Sequence, residues 1–150
     1  METSRDTLGT DPVTAGPVLP PGGQRRRLHM AALAKPVARA RAFTETALAD
    51  WSWPTPRDRQ DIVLVVAELV GNAKLHADGP VDLILDASPD RLRIEVSDTC
   101  TDLPVPRSPR NPALPGGHGL FIVQQAVSRW GAQAHGAGKT VWAEFDTPGA

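Results

Sequence analysis

The chain has 150 residues, with 16 basic and 17 acidic side chains and a formal net charge of -1. This length predicts one folded domain, and the near-zero charge argues against a protein that coats nucleic acid, because such proteins carry an excess of Lys and Arg. A single cysteine, Cys100, excludes an intrachain disulfide and a cysteine-based zinc site, and no apolar run is long enough to span a bilayer, so we expect a cytoplasmic protein without a membrane partner.

Proline and glycine fall into two clusters along the chain. Residues 1–27 contain four prolines and four glycines with few apolar side chains. Such a segment cannot bury enough surface to offset its ordering entropy, so it predicts a disordered amino-terminal tail ahead of a domain at 28–147. The second cluster, at 104–119, lies between a strand pattern and a helix pattern. Long internal loops of this kind are typical of functional lids or of disordered inserts.

Between and after these clusters, apolar periodicity predicts three helices and five strands. The clearest helix carries Ile62, Val66, Leu69 and Ala73 at helical spacing. In chain order the predicted elements are a strand at 27–31, helices at 36–50 and 57–77, strands at 81–85 and 92–96 joined by a turn, a helix at 117–130 stopped by Gly131, a strand beginning at 133 and a strand at 140–145.

The order of these elements lacks the regular strand–helix alternation of a doubly wound sheet. It predicts an α+β fold instead, a two-layer α/β sandwich in which a mostly antiparallel sheet carries three helices on one face. Trp51 and Trp53 follow the first helix. Packing under that helix is their expected position, and a partner surface is the alternative.

Three polar side chains occupy one flank of the second helix. Glu68, Asn72 and His76 are spaced four residues apart, directly beside the apolar stripe. The spacing alone favours a solvated helix flank, and it also fits a carboxylate, an amide and an imidazole that line a site on a rigid scaffold.

Two further sequence features fit either an ordinary structural role or a ligand-binding site. Asp98 follows a strand, where a carboxylate either caps a turn or accepts a hydrogen bond from an amine in a cleft. Gly116, Gly117 and Gly119 open the third helix, where glycines serve as a flexible loop exit or let backbone N–H groups approach a phosphate. Together with the helix flank, these features favour a nucleotide site.

The same segments resemble the motifs of a known superfamily. Residues 68–77, Glu-Leu-Val-Gly-Asn-Ala-Lys-Leu-His-Ala, resemble the N-box of the GHKL (Bergerat-fold) ATPases, which include gyrase, a heat-shock chaperone, histidine kinases and mismatch-repair ATPases. Asp98 lies where the first glycine box has its aspartate, residues 116–120 resemble the second glycine box, and residues 138–142 resemble the closing strand. In order and spacing, the span 28–147 is most similar to the small anti-sigma-factor serine kinases.

The resemblance implies a role for each matched position. Asn72 would offer its side-chain oxygen to Mg²⁺, and Glu68 would orient or deprotonate the attacking hydroxyl. Asp98 would accept from the adenine amino group, and Thr140 would support adenine. The three glycines Gly116, Gly117 and Gly119 would hold the phosphates of ATP, beside His76.

One position departs from the family pattern. The first glycine box has a glycine two residues after the aspartate, where this chain has Cys100, and the added side chain predicts a narrower base pocket and weaker nucleotide binding.

Three functions follow from this resemblance. The first is an ATP- and Mg²⁺-dependent serine/threonine protein kinase that phosphorylates an antagonist protein and inhibits a sigma factor, with a homodimer left open. The second is a nucleotide-dependent module that sequesters a partner without phosphotransfer. The third, a histidine kinase fragment, fits less well, because the only early histidine, His29, lies in a predicted strand.

Overall fold

The computed structural model of the chain describes residues 18–76, 79–103 and 118–147. Within these ranges the elements, in chain order, are β1 (Gln24–His29), α1 (Pro36–Asp50), α2 (Pro56–His76), β2 (Pro80–Ser88), β3 (Arg91–Asp98), α3 (His118–Ala126), β4 (Arg129–His135) and β5 (Gly138–Asp146). The strands form one sheet in the order β1-β2-β3-β5-β4. Every neighbouring pair is antiparallel.

The two long helices begin at proline residues for a local reason. Proline suits the first turn of a helix, because its fixed φ is helical and its missing N–H would have no partner there. Pro36 begins α1 and Pro56 begins α2. The Thr55 hydroxyl accepts a hydrogen bond from the backbone N–H of Asp58 at 3.1 Å and so caps α2.

One face of the sheet packs against the helices and forms the core. Alternate residues of β2, β3 and β5 point to this inner face, and they include Leu83, Leu85, Ile94, Val96 and Ala143, each at most 1% exposed. The apolar stripe of α2 packs on the same core: Ile62, Val66, Leu69 and Ala73 are 0–3% exposed. Burial of these faces is the main force that holds the two layers together.

Both tryptophans after α1 are buried, as expected. Trp51 is 4% exposed and Trp53 is 3% exposed. The indole N–H of Trp51 donates to the side-chain oxygen of Gln24 at 2.9 Å, and the guanidinium of Arg26 lies 5.1 Å from the indole centroid. Trp51 therefore joins α1 to the edge strand β1.

The outer face of the sheet carries charged side chains. Glu144 lies there with only 8% of its side chain exposed, and it accepts hydrogen bonds from Arg93 and Arg129 at 2.9 Å each. The Arg93 guanidinium also stacks on Trp142, 4.4 Å from the ring centroid. Gly131 on β4 faces the same indole, and a Cβ at this position would lie only 2.7 Å from it.

The predicted fold class is confirmed. The structure is an α+β sandwich with three helices and a five-stranded antiparallel sheet within the described residues. In these ranges no helix is long and apolar enough to cross a membrane.

Several element boundaries differ from the prediction, among them the starts of β1 and β4 and the end of α3. β1 begins at Gln24, so residues 24–27 pair with β2 instead of belonging to the tail. α3 ends at Ala126, because the backbone N–H of Ser128 donates to the carbonyl of Glu144 and the chain enters β4 at Arg129. Gly131 consequently lies inside β4 and does not stop a helix. Residues 1–17 of the predicted tail, and residues 104–117 of the second proline and glycine cluster, lie outside the described residues.

Candidate functional site

The site is built on α2, which places two polar side chains beside its buried stripe. Glu68 and Asn72 are both half-buried and lie four residues apart, one turn along the helix. A carboxylate and an amide are thus held on an element that is fixed by core packing. His76 is the last residue of α2, and the structure does not describe its side chain.

The side-chain amide of Asn72 has a hydrogen-bond donor that is not used within the described residues. Its Nδ2 atom is buried and has no hydrogen-bond partner among the described residues. A buried polar atom without a partner costs free energy, and the oxygen and nitrogen of an amide exchange places by a half-turn of the group. The amide could therefore donate a hydrogen bond from its nitrogen to a phosphate oxygen. After the half-turn, its oxygen could instead bind a hydrated Mg²⁺.

The topology brings the carboxyl end of α2 to one particular edge of the sheet. Only three positions separate His76 from Pro80, and Pro80 pairs with Asp98 at the end of β3. Asp98 in turn pairs with Lys139 near the start of β5. This edge, which we call the site edge, therefore joins the end of α2, the end of β3 and the start of β5.

Asp98 is buried at the site edge and its carboxylate has two partners. The residue is 4% exposed. Its Oδ1 atom accepts a hydrogen bond from the backbone N–H of Cys100 at 2.9 Å and from the ammonium of Lys139 at 3.0 Å. Asp98 thus caps the turn that follows β3, one of the two roles that its position allows, and it also forms a buried ion pair.

Lys139 is the residue that the sequence reasoning missed. Its side chain is 6% exposed, and its ammonium lies 3.0 Å from Oδ2 of Asp98. The alternation in β5 carries the necessary signal: counting back in twos from Ala143 and Val141 places residue 139 on the inner face, beside the aspartate.

Thr140 is not on the inner face with Asp98 and Lys139. Its neighbours Lys139 and Val141 face the core, so Thr140 points to the outer face of the sheet, opposite the Asp98 carboxylate. There its hydroxyl lies 3.2 Å from Nε2 of His135. In this register the inner position beside Asp98 belongs to Lys139, and the support of adenine by Thr140 stays a prediction.

The predicted phosphate-binding glycines are described only in part. Gly119 is the second residue of α3, so it lies at the amino end of that helix, where backbone N–H groups are unpaired and favour an anion. Gly116 and Gly117 lie outside the described residues.

The position of α3 is fixed by its packing against α2 and β4. Its carboxyl end leads into β4 through only two residues.

A cavity in the described part of the chain lies away from the site edge. It has a volume of about 430 Å³ and is formed between α1 and α2. Its apolar lining residues are Leu48, Val63, Leu64 and Ala67. None of the predicted site residues lines it.

A comparison with protein-family models identifies the family of the chain. The model described as a histidine kinase-like ATPase domain matches residues 30–145, from the end of β1 nearly to the end of β5. The matched span includes both flank residues of α2, the site edge and the amino end of α3. A comparison with curated proteins found no match.

Proposed function

The chain belongs to the histidine kinase-like ATPase domains of the GHKL superfamily, and from this premise we propose that it binds ATP with Mg²⁺ and phosphorylates a protein. Membership of this family indicates ATP binding. The substrate that we propose is a serine or threonine of an antagonist protein, and the regulated partner is a sigma factor. The order and spacing of the motifs, similar to those of small anti-sigma-factor serine kinases, support this choice.

The observation that carries the proposal is the placement of Glu68 and Asn72 on one flank of α2, the helix whose carboxyl end leads to the site edge. A phosphotransferase needs a group that takes the proton of the attacking hydroxyl and a group that holds a hydrated cation near the phosphates. Glu68 supplies the carboxylate and Asn72 supplies the amide. Mg²⁺, when bound, neutralises phosphate charge.

In the proposed reaction, Glu68 accepts the proton of the serine or threonine hydroxyl while the hydroxyl oxygen bonds to the γ-phosphorus of ATP. The bond between that phosphorus and the β–γ bridging oxygen breaks, and ADP leaves with the electron pair. The amino end of α3, with Gly119, would stabilise the negative charge of the phosphates. Gly116 and Gly117 remain predicted phosphate ligands.

A second candidate function is a module that binds nucleotide and sequesters a partner without phosphotransfer. The contact of Lys139 with Asp98 favours this module over a kinase. An Asp98 carboxylate that is already paired is a poorer acceptor for adenine, and weaker ATP binding disfavours phosphotransfer from ATP. Glu68 favours the kinase, since a pure binder does not need a base.

Transfer of label from γ-labelled ATP to the candidate antagonist protein tests the kinase proposal. We expect phosphorylation by the wild type and a loss of about 10²–10⁴-fold with Glu68→Gln, which keeps the size of the side chain but cannot accept the proton. Glu45→Gln, an exposed change on α1, is the matched control and should retain activity.

Two outcomes contradict this assignment. ATP binding without any transfer by the wild type would favour the sequestering module. Undiminished transfer by Glu68→Gln would remove the base role of Glu68.

A further inference from the structure

Asp98 and Lys139 place two charged side chains where the strand pattern calls for apolar ones. Both residues face the helices, in register with the core residues Val96 and Val141 of the same strands. Their side chains are only 2% and 6% exposed. Charged groups are rarely buried to this extent unless they are paired. The pair therefore belongs to the interior of the site edge and is not a surface ion pair.

The Lys139 ammonium is held by partners within the chain. The nitrogen lies 3.0 Å from each carboxylate oxygen of Asp98 and 3.3 Å from the carbonyl oxygen of Cys100. Oδ1 of Asp98 and the carbonyl oxygen of Cys100 accept hydrogen bonds from the ammonium, and Oδ2 of Asp98 lies at ion-pair distance from it. The carboxylate additionally accepts the N–H of Cys100. An amino group from a ligand therefore meets the Lys139 ammonium as a competitor for the Asp98 carboxylate.

The backbone around the pair is closely packed, which keeps the two residues together. Asp98 and Lys139 are directly opposite each other in the β3–β5 ladder. Next to them, a Cβ added to Gly138 would lie 1.9 Å from the carbonyl oxygen of Asp98. The absence of a side chain at Gly138 permits this close approach, and so allows the ammonium to reach the carboxylate.

We infer that Lys139 is a specificity-determining residue of the base pocket, which competes with the exocyclic amine of a purine base for the carboxylate of Asp98. This inference rests on the proposed nucleotide binding. The competition lowers the affinity for ATP and also lowers the preference for a 6-amino base over a base without that amine. Removal of the ammonium should restore both.

Lys139→Met tests the inference in the full chain, because it keeps the length of the side chain and removes the charge. Affinities for ATP and for inosine triphosphate, which has a carbonyl oxygen in place of the 6-amino group, are measured with Mg²⁺ by calorimetry. We expect the wild type to bind the two with affinities that agree within about threefold. In Lys139→Met the ATP affinity and the ATP preference should each rise by about tenfold or more, as a charged hydrogen bond becomes available to the amine.

Two further variants keep the test decisive. Lys35→Met removes the same charge from an exposed position and should leave both affinities unchanged. Lys139→Gln retains one donor for Asp98, and it replaces Lys139→Met if the latter fails to fold in a circular dichroism melt; a smaller rise in ATP preference is then expected.

The outcomes separate the inference from the proposed function. Weaker ATP binding by Lys139→Met, or an unchanged preference between the two triphosphates, would overturn the competition by Lys139 while leaving ATP binding established. Absence of any triphosphate binding by the wild type and all variants would overturn the proposed function and the inference together.

Discussion

At the scale of single residues, Gly138 is the position where the site edge has least room. The three atoms nearest to an added Cβ all belong to the backbone of Asp98 and Thr99, so none can yield by a side-chain rotation. By contrast, an added Cβ at Gly136, two residues earlier, would meet nothing within 4 Å. The two glycines thus form a natural comparison within the same turn region.

Gly138→Ala should separate the start of β5 from the end of β3 and lower the free energy of unfolding by about 1–3 kcal/mol, the usual cost of overpacking. Gly136→Ala should change it by only a few tenths. Urea denaturation followed by circular dichroism measures both. Equal stability of the two variants would show that the close approach at Gly138 does not matter.

The residue scale also shows where the site could be predicted from sequence and where it could not. Glu68 and Asn72 were assigned to one flank of a helix, and a helix with that flank is present. The partner of Asp98 was missed, because a lysine in a short strand suggests solvent exposure and only the β3–β5 register brings it opposite the aspartate. The same register places Thr140 on the outer face, which the predicted support of adenine by Thr140 did not consider.

At the scale of elements, local signals determined α1 and α2, whereas tertiary pairing determined α3. The predicted range 36–50 coincides with α1, and the predicted range 57–77 differs from α2 by one residue at each end. α3 is shorter than predicted because hydrogen bonds between Ser128 and β5 end it early. Such long-range bonds leave no periodic signal in the helix sequence itself.

The ion pairs on the outer face of β5 make the stability of the fold depend on pH. Burial of Glu144 alone raises its pKa, but the hydrogen bonds from Arg129 and Arg93 outweigh burial and hold the pKa below its ordinary value of 4.5. A carboxyl group whose pKa is lower in the folded chain stabilises the fold above its unfolded pKa, and this contribution is lost as the pH falls through the folded pKa.

Glu144→Gln should therefore lower the free energy of unfolding at pH 7 by about 1 kcal/mol, a modest value because both arginines are partly exposed and solvent screens them. The difference from the wild type should shrink as the pH falls below 4.5. Urea denaturation at a series of pH values measures it. Glu95→Gln is the control, since Glu95 lies on the same face and, among the described residues, pairs with Arg93 alone. A difference that stays constant across this range would contradict the account.

At the scale of the whole molecule, the candidate nucleotide site and the ion pairs of Glu144 lie on opposite faces of the sheet. The helix-covered inner face ends in Asp98 and Lys139 at the site edge, whereas Glu144 lies on the outer face, nearer the other end of β5. The antiparallel topology, predicted from the order of elements, is what brings α2, β3 and β5 together. Substitutions at Glu144 should accordingly leave nucleotide affinity unchanged while they alter stability.

The measurement that tests the account most directly is ATP binding by calorimetry, with and without Mg²⁺, for the wild type and Asn72→Ala. We predict saturable binding of one ATP per chain that is strengthened by Mg²⁺ in the wild type, with this strengthening lost in Asn72→Ala because the amide ligand is gone. Gln60→Ala, an exposed change about 18 Å away along α2, should behave like the wild type. No ATP binding by the wild type, or unchanged Mg²⁺-dependent binding in Asn72→Ala, would contradict the account.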